Sequence, residues 1–392
     1  MSVTASARDV AIANALVWFD RGALFEALAR RVALATESQD ASGAPLLKSY
    51  LDIEMRGSLE ALGFDVDLYH NPVPDKPPFL IATRKEAGAT RTVLFYGHGD
   101  VVRGDAGHWA EGLEPYRLIR KEGRWYGRGS ADNKGQHSIN LAAIEQVLAV
   151  RGKLGLNITW LFEAGEECGS PGLEQFCEAH REQLKADVFL ASDGPRLNAA
   201  SPTLFLGSRG CCNFELEQVA RQAANHSGNW GGLLLNPAVR LVHAVATLTD
   251  ARGRIAVDGL KSPEVPLSVS AALANITPGE PGGPQLETNW ADAERSFAER
   301  VFASNALEIL ALDAGNASAP VNAIPARARA YLQLRFVPGV DASEIVPAVA
   351  RHLEQHGFAD VTVRLSRDLP MPATRLDPDH PFVKEVKNSI ER

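Results

Sequence analysis

Through the first 65 residues, apolar side chains recur at helical spacing. They run from Leu24, Leu28, Val32 and Leu34 to Leu46, Leu47, Tyr50, Leu51, Met55, Leu59 and Leu62. The apolar run 10–19 is interrupted by Asn14 and followed by Asp20 and Arg21, which predicts an amphipathic helix. From Phe64 the pattern shortens to β-rich runs at 64–69, 79–83 and 92–96. A helix is predicted over 136–150, a buried strand over 156–162, a helix over 173–184 and a strand over 186–191. Strands alternating with helices of this length predict an α/β layer with a largely parallel sheet.

A second region begins near Thr203. It reads as a strand at 213–218, a helix with the apolar face Leu241, Val242, Val245 and Leu248, and a Pro/Gly-rich stretch at 278–284. A strand at 328–337, a helix at 342–356 and a strand at 361–365 follow. Two strand–helix–strand halves suit a small α+β sandwich. The division expected is a first domain over 1–203, a second over 204–368, and a return to the first over 369–392.

Length agrees, since 392 residues at roughly 150 per domain give two or three domains. Hydrophobic residues at 45% and charged residues at 22% exclude a disordered chain. Forty basic against forty-eight acidic side chains leave a net charge of −8, which argues against nucleic acid and against a polybasic membrane contact. No apolar run approaches the ~18 residues that would span a bilayer, and the N-terminus lacks the order of a signal peptide. Cysteines at 168, 177, 211 and 212 form no C-x-x-C pair, an inventory expected of a reducing, cytoplasmic compartment.

Acidic or imidazole residues fall at four sites, just after predicted strands or in a turn that opens a helix. His98 and Asp100 end the strand in Tyr96-Gly97-His98-Gly99-Asp100, and Asp132 stands just before a helix in Ser130-Ala131-Asp132-Asn133-Lys134-Gly135. Glu166 and Glu167 follow the strand 156–162, and Asp193 follows the strand 186–191. In an open α/β sheet the carboxyl ends of the strands form the ligand crevice, so four segments deliver these groups to one rim. That many carboxylates repel one another, and a divalent cation removes the conflict. Imidazole with carboxylates suits Zn²⁺, or less selectively Mn²⁺ or Co²⁺. Asp132 is suited to bridge two ions, and Asp100 to accept the other ring N–H of His98. One of the two adjacent glutamates can ligate while the other serves as general base. Taken singly each element is weak, because an H-x-D, a Glu-Glu corner or an Asp before a helix is common. Their order along the chain carries the weight.

At these residues the chain resembles the binuclear zinc metallopeptidase and deacylase family, which includes carnosinase, glutamate carboxypeptidase, acetylornithine deacetylase and succinyl-diaminopimelate desuccinylase. The resemblance implies an α/β catalytic domain with a mostly parallel central sheet and an inserted α+β lid or dimerisation domain. It implies two divalent metal ions, with His98 and Asp193 on one, Asp132 bridging and Glu167 on the other. Glu166 becomes the general acid/base, and Asp100 the carboxylate behind His98. Asp at 193 resembles the dipeptidase side of the family. His226, in Asn225-His226-Ser227-Gly228-Asn229-Trp230, resembles the histidine that reaches across a dimer to the oxyanion. Arg335, in Leu334-Arg335-Phe336, resembles the arginine that holds the substrate's carboxylate.

The implied activity is metal-dependent hydrolysis of an amide bond in a dipeptide or N-acyl amino acid by a cytoplasmic homodimer. One departure stands against it. Family members return from the lid for tens of residues and supply a last histidine ligand, whereas here the return begins near Leu369 and reaches Arg392. His380 resembles a segment upstream of that ligand and is not assigned to it. A fragment of a longer enzyme is one expectation. The alternative function is a truncated, catalytically impaired member that folds and dimerises without competent chemistry.

Overall fold

Alternation of apolar side chains between two covered faces organises the N-terminal half. The computed structural model describes residues 6–40, 43–194, 201–279, 283–366 and 370–392. Leu369, where the return segment is expected to begin, and positions 280–282 of the Pro/Gly-rich stretch lie outside the described residues. The chain divides into two units, residues 1–195 and 196–392.

In the first unit, β1 (Asp65–Tyr69), β2 (Phe79–Arg84) and β3 (Thr92–His98) are followed by a small hairpin, β4 (Ile119–Lys121) with β5 (Arg124–Tyr126). Then come β6 (Asn157–Glu163) and β7 (Val188–Ala191). The main sheet has the order β1-β2-β6-β3-β7. Its β6–β3 and β3–β7 pairs are parallel, whereas β1–β2 and β2–β6 are antiparallel. Four strands therefore run one way and β2 the other, giving a mixed α/β sheet among the described residues. The reversal has a simple cause. Only seven residues, 85–91, join β2 to β3, too few for the dozen or more that a parallel crossover needs.

Phe79, Leu80, Ile81 and Ala82 are all buried because both faces of β2 are covered. Leu80 and Ala82, with Ile158, Trp160 and Phe162 of β6, pack against Tyr50, Leu51, Met55 and Leu59 of the helical stretch 44–60 and against Leu141 and Ile144. Phe79, Ile81 and Leu161 pack on the other side against Phe176 and Leu184. Each such side chain contributes about 1.5–3 kcal/mol on burial. The Lys134–Arg151 helix carries the chain from β3 to β6. The Leu173–Ala179 and Arg181–Leu184 helices, one continuous helix in the sequence expectation, part at His180 and lead to β7 on the far side of β3. The strand order thus switches around β3, and its carboxyl end, at His98, faces the crevice such a switch creates.

The second unit holds β8 (Gly210–Val219), β9 (Asn225–His226), β10 (Ala306–Asp313), β11 (Ala323–Ile324), β12 (Arg327–Phe336) and β13 (Thr362–Leu365). A four-stranded antiparallel sheet has the order β10-β12-β8-β13, and β9 pairs with β11 separately. Cys212, Phe214, Leu216, Leu332, Leu334 and Phe336 turn to one face and pack with Leu241, Val245, Ile345, Val349 and Leu353. These last come from the Pro237–Val245 and Ile345–Gln355 helices. The former starts cleanly: Asn236 Oδ1 accepts the Ala238 N–H at 2.9 Å, and Pro237 takes the first helical position, where no N–H is needed.

Candidate metal centre

Each acidic segment reaches the rim for a local reason. β3 ends at His98, and the next turn is fixed by Gly99 N–H donating to Glu163 O at 2.8 Å and by Thr36 Oγ1 donating to Gly99 O at 2.6 Å. Gly99 has no alternative here, because a Cβ would collide with the Tyr50 ring. Asp132 immediately precedes Asn133, the cap of the Lys134–Arg151 helix. A Cβ at Gly135 would strike the Ser130 carbonyl, so that turn also closes only on glycine. Glu166 and Glu167 lie on a single 3₁₀ turn after β6, and Asp193 lies two residues beyond β7.

His98 is the centre of the cluster and is fully buried. Its Nε2 lies 2.9 Å from Asp132 Oδ1, 3.8 Å from Asp193 Oδ1 and 4.0 Å from Glu166 Oε2. One ligand atom from each of His98, Asp132 and Asp193 fits within 4.8 Å of the others. Glu167 stands outside that trio. On the other side of the ring, Nδ1 lies 3.1 Å from the Asp100 carbonyl oxygen and 3.4 Å from its carboxylate. That carboxylate accepts the backbone N–H groups of Glu166 and Glu167 at 3.1 and 3.0 Å.

Two supporting residues escaped the sequence reading. Asn133 is fully buried; its Nδ2 donates to Ser192 O and Gln136 Oε1, both at 2.6 Å, and its Oδ1 accepts the His98 N–H at 3.3 Å. One amide thereby ties the β3 end, the helix start and the β7 exit together. Glu163, at the end of β6, is buried and accepts from Tyr96 Oη at 2.7 Å and Ser170 Oγ at 2.9 Å. For Glu163 the available signal was position, the end of the strand that leads to Glu166 and Glu167; the place of Asn133 at a helix start gave no sign of what its amide would bind.

The electrostatics ask for positive charge. Burial opposes protonation of His98, but Asp100, Asp132 and Asp193 outweigh it and lift the ring to about 12. Burial raises Glu166 to about 7, helped by the charges of Asp193, Glu167 and Asp100 and opposed by His98. Glu167 is raised by burial and then by Asp132. Asp132, hydrogen-bonded to His98, is held below the usual carboxylate range. An imidazole nitrogen with carboxylate oxygens from separate strand ends, all short of a counter-charge, is a donor set that fits a divalent cation.

His226 and Arg335 belong to the second unit. His226 is exposed on β9, where its Nδ1 accepts the Gly228 N–H at 3.1 Å. Arg335 is half-buried on β12, with Nε donating to Gln333 Oε1 at 3.0 Å.

Comparison with known proteins adds a lineage to this geometry. The model of peptidase family M20/M25/M40 matches residues 94–392. The Beta-Ala-His dipeptidase of Mus musculus is 30% identical over 349 residues, covering 82% of this chain and 69% of that protein. The human protein of the same name is 29% identical over 74% of this chain, which spans 59% of the human protein's length. The Cysteinylglycine-S-conjugate dipeptidase of Corynebacterium striatum is 33% identical over 52% of this chain and 44% of its own. In fold, the chain is similar to human carnosine dipeptidase 1, with a TM-score of 0.73 and 24% identity over 99% of this chain and 85% of that one. It is likewise similar to the M20 family metallo-carboxypeptidase Sso-CP2 from Sulfolobus solfataricus, with a TM-score of 0.77 and 24% identity over 94% and 83%.

Proposed function

Because the chain belongs to peptidase family M20/M25/M40, we propose that it is a metal-dependent hydrolase of the amide bond in a dipeptide or N-acyl amino acid. The observation that carries this reading is the clustering of His98, Asp132 and Asp193, with Glu166 Oε2 4.0 Å from the same imidazole nitrogen. The three relatives described above are dipeptidases, which favours the dipeptide.

In this reading His98 and Asp193 would hold one divalent ion and Glu167 a second, with Asp132 available to both. Zinc suits the set, and Mn²⁺ or Co²⁺ can replace it. When bound, such ions supply Lewis acidity, polarising the carbonyl and making water a better nucleophile. Glu166 takes a proton from the attacking water as its oxygen adds to the carbonyl carbon. It then delivers that proton to the nitrogen as the C–N bond breaks. Asp100 fixes the His98 ring and the Glu166–Glu167 turn. His226 donates to the developing oxyanion, and Arg335 pairs with the substrate's carboxylate. The four free cysteines fit a cytoplasmic setting, and the second unit serves as lid and homodimer contact.

The decisive variant is Glu166→Gln. Turnover of dipeptides is expected to fall by about 10²- to 10⁴-fold, while metal content by mass spectrometry stays at the wild-type level. Comparable activity in that variant would overturn the general-base role. Equal hydrolysis before and after exhaustive chelation would overturn the metal dependence.

A further inference from the structure

The carbonyl of Ser192 can only accept a hydrogen bond, and the backbone N–H of His98 can only donate one. The Asn133 amide stands between them, so the main chain assigns its ends. Nδ2 faces Ser192 O at 2.6 Å, and Oδ1 faces the His98 N–H at 3.3 Å. Nδ2 also lies 3.4 Å from Asp193 Oδ1. A glycine on β3 makes the room, since a Cβ at Gly97 would come within 3.2 Å of Asn133 Oδ1.

The same oxygen has a second neighbour, His137 Nδ1, at 3.3 Å. Because Oδ1 accepts, Nδ1 must carry the proton, and His137 Nε2 is then a bare acceptor. Tyr50 Oη lies 2.6 Å from Nε2 and donates to it. Both groups keep the forms this needs. Burial, joined by the charges of Arg31, His98 and Lys134, holds the imidazole well below its ordinary 6.5, so it is neutral. Burial likewise pushes the Tyr50 phenol up, so it keeps its proton. The donations run one way, from Tyr50 through His137 to Asn133, and no donor faces a donor.

All three side chains are fully buried. The His137 ring meets Tyr50 and Phe162 edge-on, at centroid distances of 6.0 and 5.4 Å, and sits one turn after Asn133 on the Lys134–Arg151 helix. Tyr50 also fills the space beside Gly99. It therefore bears on the His98 segment twice, by its ring at Gly99 and by its hydroxyl through His137 and Asn133. An amide gripped at Oδ1 by two donors and at Nδ2 by acceptors cannot turn without breaking several hydrogen bonds at once.

We propose that His137 is a positioning residue for the metal centre. Its Nδ1–H locks the Asn133 amide, and the amide sets the distance between the end of β3, which bears His98, and the exit of β7, which bears Asp193. The proposal rests on the metal-dependent reading above, in which His98 and Asp193 share an ion. Both ring nitrogens of His137 are engaged, so it acts through Asn133 rather than as a ligand.

Asparagine and glutamine divide the two ring nitrogens between them. At position 137 the amide of an asparagine reaches the place of Nδ1, and that of the longer glutamine the place of Nε2. In chelator-competition titrations of the whole chain, His137→Gln is expected to bind zinc about 10- to 100-fold more weakly than wild type. His137→Asn should stay close to wild type. Melting of the metal-free variants should run the other way, with His137→Asn the less stable because its shorter side chain leaves the larger void. Affinities that follow the melting temperatures, or that are equal in the two variants, overturn the proposal and make the ring a space-filler. Nitrogen NMR of metal-free wild type needs no variant to fold: a proton on Nδ1 of His137 is expected, and one on Nε2 overturns the lock. If wild type takes up no zinc, the metal reading fails and the metal-free variants decide the lock alone. The Ser192 carbonyl carbon resonance, which His137 reaches through Asn133, should then shift in His137→Gln and hold in His137→Asn. Equal shifts in both variants, or none, overturn it.

Discussion

The buried carboxylate of Asp100 accepts the backbone N–H of Glu167 at 3.0 Å. With the Glu166 N–H at 3.1 Å and the His98 ring nitrogen at 3.4 Å, one side chain orients groups from two strands. Asp100→Ala should lower both metal affinity and kcat/KM by about 10- to 100-fold, with Asp100→Asn milder because it keeps one acceptor oxygen. Metal titration alongside steady-state kinetics checks this. Wild-type values in the alanine variant would refute the positioning role.

Asn133 joins three segments through one amide. Asn133→Ala leaves the His98 N–H without the side chain that accepts it and Ser192 O without its donor, a loss of about 2–3 kcal/mol. Urea denaturation of the metal-free chain should show the drop, since without metal only the hydrogen bonds are being compared. A midpoint within error of wild type would mean the three segments hold their places unaided.

Glu86 gives a pH dependence far from the metal cluster. Burial works against its ionised form, but N–H bonds from Leu154 and Gly155 and the Arg84 side chain outweigh it and hold the carboxyl below its ordinary 4.5. The group is more acidic folded than unfolded, so its stabilisation is full above the unfolded value. It is lost as pH falls through the folded one. At pH 7 the Glu86→Gln variant should be less stable by about 1 kcal/mol. The gap should close in acid, where wild type is protonated too. Urea midpoints across that range test it, and a gap that does not change with pH would count against the linkage.

Phe214 is fully buried in the second unit's core. Phe214→Ala should cost about 3–5 kcal/mol and act on residues 196–392 without loosening residues 1–195. Limited proteolysis, with fragments mapped by mass, should find new cuts only in the former. Cuts appearing equally in both would mean that the units unfold together.

Much of this architecture was readable in the residues. The helix expected over 136–150 occupies Lys134–Arg151, and the strand expected over 328–337 occupies Arg327–Phe336, because long, cleanly periodic segments carry their own signal. β10 carried none. Its register shifts between Ile309 and Ala311, so apolar residues fall at 307, 309, 310 and 312 and the period of two is broken. The reversed β2 was open to inference from its short connection to β3. At the site, His98, Asp100 and Asp132 could be found because strand ends and helix starts announce themselves. Asn133 could not, because its role depends on Ser192 and His98, distant in sequence, meeting around one amide.

The packing of Tyr50 against Gly99 bears on how this chain can change. His98 and Asp100 flank a glycine whose space is already filled by an aromatic ring from the helical core. The floor of the site and the interior of the first unit are therefore one object, and mutations at either disturb both. Evolvability is pushed outward. Change is tolerated further out, at positions such as the largely exposed 105–114 loop, where a new side chain meets solvent rather than Tyr50.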